Sequence, residues 1–159
     1  MVPARDRAAM DKDEIARRVA HAMFAREGTG PAWDLQIREV REGYARLAMM
    51  VRPDMANGHG SVHGGMLFSL ADTAFAYACN SRNTVSVAQA ASVVYLAPAG
   101  VGETLVAEAR EEAVSGRTGV YTVQVTVEGD GRVIAQFQGQ SRTIGGAIID
   151  LSQPSQPEP

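Results

Sequence analysis

The hydrophobic pattern changes period along the chain. Between Asp13 and Arg26, apolar residues fall at Ile15, Val19, Ala22 and Met23. That is close to the 3.6-residue repeat of a helix with one buried face. Asp11 or Asp13 stands where an N-cap belongs, and Gly28 lies just past the end. Alternation follows. Leu35 and Ile37 share one face, as do Ala45, Leu47, Met49 and Val51, with Glu42-Gly43 between them as a hairpin turn and Pro53 as a stop. From Met66 to Cys79 the chain is apolar almost all round and rich in Ala, Leu and Met, which predicts a buried helix. Beyond it the period is two, giving strands over Val85–Leu96, Thr104–Val114, Val120–Glu128 and Val133–Ile144. Pro98, Ser115–Gly119 and Gly129-Asp130-Gly131 separate them as breaks and turns. The pattern predicts an α+β fold: a leading helix, two strands, one buried helix, then a meander of four strands forming an antiparallel sheet packed on that helix.

Composition narrows the function. A chain of 159 residues fits one domain, read here as residues 13–147 between disordered tails at 1–12 and 148–159. A net charge of -3 supplies no basic footprint for nucleic acid. The single cysteine, Cys79, excludes an internal disulfide and any multi-cysteine zinc site. No apolar run reaches the roughly 18 residues of a membrane span. The charged N-terminus lacks a signal-peptide core, so a cytoplasmic location is expected.

Asp72 is the most informative side chain, a carboxylate inside an apolar helix between Ala71 and Thr73. Burying it costs several kcal/mol unless it is paired. Either it lies on the one solvated stripe, or bonded to Ser69, Thr73 or a loop, or it is a base or nucleophile at a site. Gly64-Gly65 opens the same helix, and the N–H groups of a first turn lack intrahelical partners. Without Cβ atoms a carbonyl oxygen can reach those donors, as in an oxyanion hole, although a plain loop-to-helix turn uses glycine too. Asn57-Gly58 reads equally as a tight turn or as an amide that orients a water or a carbonyl. His59 and His63 have metal-pair spacing, but the glycines around them oppose a helix and no third ligand follows, so no metal and no cofactor is expected. His63 reads as a donor near the oxyanion position or as a structural histidine. No Gly-x-Ser-x-Gly elbow is present.

Taken together, these residues resemble the hotdog-fold thioesterases of the phenylacetate-degradation, PaaI-like type. The resemblance runs from about Ala22 to Gly146. It is most specific over Asn57-Gly58-His59 and His63-Gly64-Gly65 through Asp72 to Asn80-Ser81, with support from Leu96-Ala97-Pro98, Thr118-Gly119-Val120-Tyr121 and Ile144-Gly145-Gly146. It implies a sheet wrapped round the central helix and hydrolysis of (hydroxy)phenylacetyl-CoA-type thioesters. By position it implies Asp72 as the catalytic carboxylate, Gly64 as the N–H that polarises the thioester carbonyl, Asn57 as the group that positions water, and His63 beside them. Arg82, Arg117 and Arg142 are candidates for the CoA phosphates, each equally readable as solvated surface charge.

One distance constrains the assembly. Gly64 and Asp72 are eight residues apart, about 12 Å along one helix. A single carbonyl cannot meet both. Two such helices packed antiparallel across a two-fold would bring Gly64 of one to Asp72 of the other. A homo-oligomer with shared sites is therefore expected, and the family resemblance extends this to a dimer of dimers. Two other functions compete: a thioesterase of broad short- or medium-chain range, and a non-catalytic acyl-CoA-binding module. The carboxylate at the carbonyl position argues against the second.

Overall fold

The computed structural model describes residues 10–154. Residues 1–9 and 155–159, parts of the two expected tails, lie outside the described residues. The elements, in order, are helix α1 (Lys12–Arg26), a short helix α2 (Thr29–Ala32), strands β1 (Gln36–Arg41) and β2 (Tyr44–Met50), a 3-10 turn (Pro53–Met55), the long helix α3 (Gly64–Cys79), and strands β3 (Ser86–Tyr95), β4 (Thr104–Ser115), β5 (Thr118–Val127) and β6 (Val133–Thr143). Asp11 takes the N-cap position of α1 without a side-chain bond, and Asp13 instead accepts from the Glu42 N–H at 3.0 Å.

All six strands form one antiparallel sheet in the order β1-β2-β4-β5-β6-β3. The expected meander of four strands is therefore only three, β4-β5-β6. β3 pairs with β6 from Ser86↔Thr143 to Tyr95↔Ala135 and occupies the far edge. The cause is local. A long connection carrying Pro98 follows β3 in place of a two-residue hairpin, and β4 is claimed by β2 through a register running from Tyr44↔Arg110 to Met50↔Thr104.

α3 lies across the inner face of the sheet. Leu67, Leu70, Ala71, Ala74, Phe75 and Tyr77 are buried against inward positions such as Leu47, Leu105, Val123 and Phe137. Each fully buried Leu or Phe contributes about 1.5–3 kcal/mol of hydrophobic stabilisation. Phe75 sits 5.9 Å from Phe137 and 5.4 Å from Tyr121, ring centre to ring centre. It can do so because position 139 is glycine: a Cβ there would stand 2.9 Å from the Phe75 ring. At the C-terminal end Asn80 clamps helix to sheet, donating to the Ala76 carbonyl at 2.9 Å and the Ser86 carbonyl at 3.0 Å and accepting from the Ser86 N–H at 2.9 Å.

The described part of the C-terminal segment folds back onto this end of the molecule. The Asn83 side chain accepts from the Ile148 and Ile149 N–H groups at 3.0 Å, Arg26 donates to the Ile148 carbonyl at 2.9 Å, and Arg18 donates to the Gln153 carbonyl at 2.6 Å. No helix among the described residues is long and apolar enough to cross a membrane.

Candidate active site

The loop from Ala56 to His63 is held in place before α3 begins. The Val62 N–H donates to the Ala99 carbonyl and the His63 N–H to the Met55 carbonyl, both at 2.8 Å. Within the loop Asn57 does what its Asn-Gly signal suggests. Its Oδ1 accepts from the His59 N–H at 2.9 Å and the Ser61 N–H at 3.2 Å, and its carbonyl accepts from the Gly60 N–H at 3.1 Å. Its side-chain NH2 has no partner among the described residues. The turn thus fixes the amide oxygen and leaves the donor end over.

His63 is the N-cap of α3. Its Nδ1 accepts from the Gly65 N–H at 2.9 Å, and its carbonyl accepts from the Met66 and Leu67 N–H groups at 2.9 and 3.2 Å. An accepting Nδ1 places the proton of the neutral ring on Nε2. These bonds use three of the four donors of the first turn. The fourth, the Gly64 N–H, has no partner among the described residues, and it lies at the positive end of the helix dipole.

Gly64 and Asn57 both line a cleft of about 420 Å³, walled by Val62, Leu67, Tyr95, Leu96 and Pro98. That is the size of a small-molecule pocket. Nothing in the sequence singles out Tyr95. Its hydroxyl donates to the Gly64 carbonyl at 3.0 Å, and its ring lies so close that a Cβ at position 64 would come within 3.0 Å of it. Glycine leaves room here for an aromatic ring thirty-one positions later, which any larger residue would have to displace by a few tenths of an ångström, and only its place at the end of a strand could have hinted at this.

Asp72 stands two turns along α3 on the stripe that the sheet leaves uncovered, with Gly65, Ser69, Thr73 and Ala76. Ser69 and Thr73, its possible partners by sequence, donate instead to helix carbonyls, Ser69 to Gly65 and Thr73 to Ser69, both at 2.8 Å. The carboxylate has no hydrogen-bond partner among the described residues, and partial burial pushes it above the ordinary Asp range. A half-buried acid without a partner is a cost that stability alone does not explain. Cys79, on the same helix, is inert: burial first, and the Asp72 carboxylate second, push its thiol up to about 12.

Of the candidate phosphate ligands, Arg82 is already committed. It grips Glu111 with both guanidinium nitrogens at 2.5 and 2.9 Å and approaches Glu42 at 3.5 Å. Tyr121 donates to the same Glu111 carboxylate at 2.8 Å, which holds that acid below its usual range, Arg82 being the main cause. No group of three or more His, Cys, Asp and Glu side chains able to hold a metal occurs among the described residues.

An antiparallel sheet wrapped on a central helix is the architecture of the hotdog-fold thioesterases. Residues 59–134 match the model of the thioesterase superfamily. The chain is 44% identical over 129 residues to the acyl-coenzyme A thioesterase PaaI of Escherichia coli K12, covering 81% of this chain and 91% of that one. The solved structure of the E. coli PaaI protein from the phenylacetic acid degradation operon superposes with a TM-score of 0.84 at 41% identity, over 86% of this chain and 99% of that one. The TT0310 protein of Thermus thermophilus gives a TM-score of 0.71 at 38% identity, over 75% and 99%. The chain belongs to the PaaI-like acyl-CoA thioesterases and is a thioester hydrolase.

Proposed function

We propose that the protein hydrolyses aryl-acetyl CoA thioesters, of the phenylacetyl or hydroxyphenylacetyl type, to the free acid and CoA at sites shared between two subunits. The observation that carries this reading is the pairing of features on α3: one unpaired N–H at Gly64 inside a cleft, and one unpaired carboxylate at Asp72 about 12 Å further along the same helix. The aryl preference is supported by the similarity to the E. coli PaaI thioesterase and by the apolar walls of the cleft.

The thioester oxygen sits against the Gly64 N–H, with the free Asn57 amide donating beside it or to the attacking water. His63 is a positioning residue, because by capping α3 it occupies the Gly65 N–H and leaves the Gly64 donor unshared. Asp72 of the partner subunit takes a proton from water as the water oxygen bonds to the carbonyl carbon. Negative charge gathers on the carbonyl oxygen, where the helix-end donor stabilises it. The tetrahedral centre collapses, the carbon–sulfur bond breaks, and CoA leaves as a thiolate that picks up a proton from solvent. A carboxylate lifted by burial is a better base than an ordinary Asp.

The partner is a second copy of this chain. β3 is a ten-residue edge strand without a charged residue, and exposes Val87 and Val94. Antiparallel pairing of two such edges would continue the sheet and lay the two α3 helices side by side in opposite directions. A further pairing of dimers into a tetramer belongs to the same proposal.

Thiol release from phenylacetyl-CoA, acetyl-CoA and octanoyl-CoA tests the reading, comparing wild type with Asp72→Asn. Preferential release from phenylacetyl-CoA, abolished by Asp72→Asn, is expected; no release from any of them would overturn it. For the shared site, Asp72→Asn chains are mixed with Gly64→Pro/Tyr95→Ala chains, each inactive alone. Random pairing makes half of the dimers mixed, each with one intact site, so about one quarter of wild-type activity should return. No recovery would place Gly64 and Asp72 in one subunit's site.

A further inference from the structure

The cleft at Gly64 has only neutral walls, Asn57, Tyr95 and Leu96 among them, while a CoA thioester carries a diphosphate and a ribose phosphate. The net charge of -3 repels such a ligand at long range, so its attraction has to be local. Among the described residues every lysine and arginine but two is engaged by an acidic group or a carbonyl oxygen. The two are Arg117 and Arg142, both exposed, and they are neighbours. Arg142 stands opposite Thr118 in the β5–β6 register, and the Arg117 carbonyl accepts from the Thr143 N–H at 2.8 Å.

In their own subunit these arginines are at the wrong end of the sheet. Arg142 pairs with Val87 at the start of β3, whereas Tyr95 lines the cleft at its end, about 26 Å away at 3.3 Å per residue. Antiparallel pairing of two β3 edges along their whole length reverses this. Val94 of one subunit then stands opposite Val87 of the other, and Arg142 of the partner subunit is one strand further on, about 10 Å from Val94 at 4.8 Å per strand. Val94 is two positions before Leu96 of the cleft wall, about 7 Å further on, so an arginine side chain on the outer face of the sheet and the extended diphosphate arm of CoA together span the distance to the cleft rim.

We infer that Arg117 and Arg142 bind the phosphate groups of CoA at the partner subunit's cleft, so each subunit supplies the catalytic carboxylate and the phosphate clamp to the same neighbouring site. This rests on the proposed two-fold pairing through β3. Arg suits the task because its planar fork holds phosphate oxygens in pairs.

The test is calorimetric binding of CoA and of pantetheine, which lacks the nucleotide phosphates, to wild type and to Arg117→Ala/Arg142→Ala. CoA binding should weaken about tenfold, and its salt dependence should flatten, while pantetheine binding is unchanged. Equal weakening for both ligands, or for neither, would overturn the inference. Because this readout needs no turnover, an inactive wild type would count against the thioesterase reading alone. Mixed dimers then decide which subunit's cleft is served. Paired with a Gly64→Pro/Tyr95→Ala chain, the double-arginine variant should recover the wild-type KM for phenylacetyl-CoA. Paired with an Asp72→Asn chain it should keep its raised KM. The opposite pattern would place the arginines at their own subunit's cleft and overturn the assignment.

Discussion

The two edges of the sheet are built on opposite principles. β1 is six residues long, carries Arg38, Glu39 and Arg41, is bulged between Ile37 and Glu39, and has α1 packed beside it. Charge, shortness and a bulge are the means by which proteins keep an edge from pairing with another chain. β3 is ten residues long, with no charge, and leaves Val94 59% exposed. Near β1 the chain closes on itself through Arg82–Glu111 and through Tyr77, which donates to Glu27 across α1 and α3. Near β3 it leaves open an edge strand, a cleft and the stripe of α3 that carries Asp72. One side of this molecule is closed by the chain's own contacts, whereas the other keeps an uncharged strand edge open, the edge to which the proposed partner is assigned. Substitutions on the first should move stability, and substitutions on the second should move assembly and catalysis.

The comparison breaks most sharply if lysines are placed on the open edge. On the proposed β3 pairing, Ala90→Lys/Ser92→Lys should give a monomer by sedimentation and lower kcat/KM at least about 100-fold, because the base assigned to the partner would be lost. Glu39→Val/Arg41→Val on β1 should change neither. An active lysine monomer would end the contrast. Next in size is removal of the one first-turn N–H of α3 left without a partner among the described residues. Proline is tolerated at the first position of a helix, and His63 already has the extended backbone (φ -64, ψ 136) that a following proline requires. Against a Tyr95→Ala background that makes room for the ring, Gly64→Pro should lower kcat about 100- to 1,000-fold with the fold retained by circular dichroism.

On the closed side Arg82→Ala should cost about 1–2 kcal/mol in urea unfolding at pH 7, with kcat unchanged, since it strands a partly buried carboxylate. Glu111 has a lowered pKa in the folded protein, so its contribution is present above its unfolded pKa and is lost as pH falls through the folded value. The gap between variant and wild type should therefore close in acid. The smallest effect has the opposite sign. The folded state raises the Asp72 pKa, so it holds more protons than the unfolded chain between the two values, and stability declines as pH rises through that window. Asp72→Asn removes the decline and should raise Tm by about 1–3 °C at neutral pH, with no gain in acid where the carboxyl is already protonated. A base held at a cost to the fold behaves this way, whereas a merely structural Asp would destabilise when replaced.

Much of this is legible from period and residue type. The α3 pattern marks a helix that must be buried, and an acid inside it stands out as marking either the solvated stripe or a site. Strand boundaries follow from Pro98, Gly116 and the Gly129–Gly131 turn. What escapes is long-range. The sequence reads β3 into the meander because adjacent strands usually pair, and nothing local says that β2 has already claimed β4. Tyr95 escapes because its contact is with a glycine thirty-one residues earlier. Arg82, Arg117 and Arg142 look alike in the sequence, and only the positions of acids on other strands separate the committed one from the two others.

The sequence by itself determined the kinds of element, the central helix with its acid, and the glycine-opened helix start, because period, caps and turn residues act over a few positions. It also determined, through the eight-position separation of Gly64 and Asp72, that the two stand too far apart on one helix to serve one carbonyl. Only the tertiary structure decided which strands are neighbours, which edge is left open, and which first-turn donor and which charges remain unpaired. Those are questions of who reaches a partner first. Pairing in a sheet and in ion networks is exclusive, so its outcome depends on the whole set of competing groups and on no single stretch of chain.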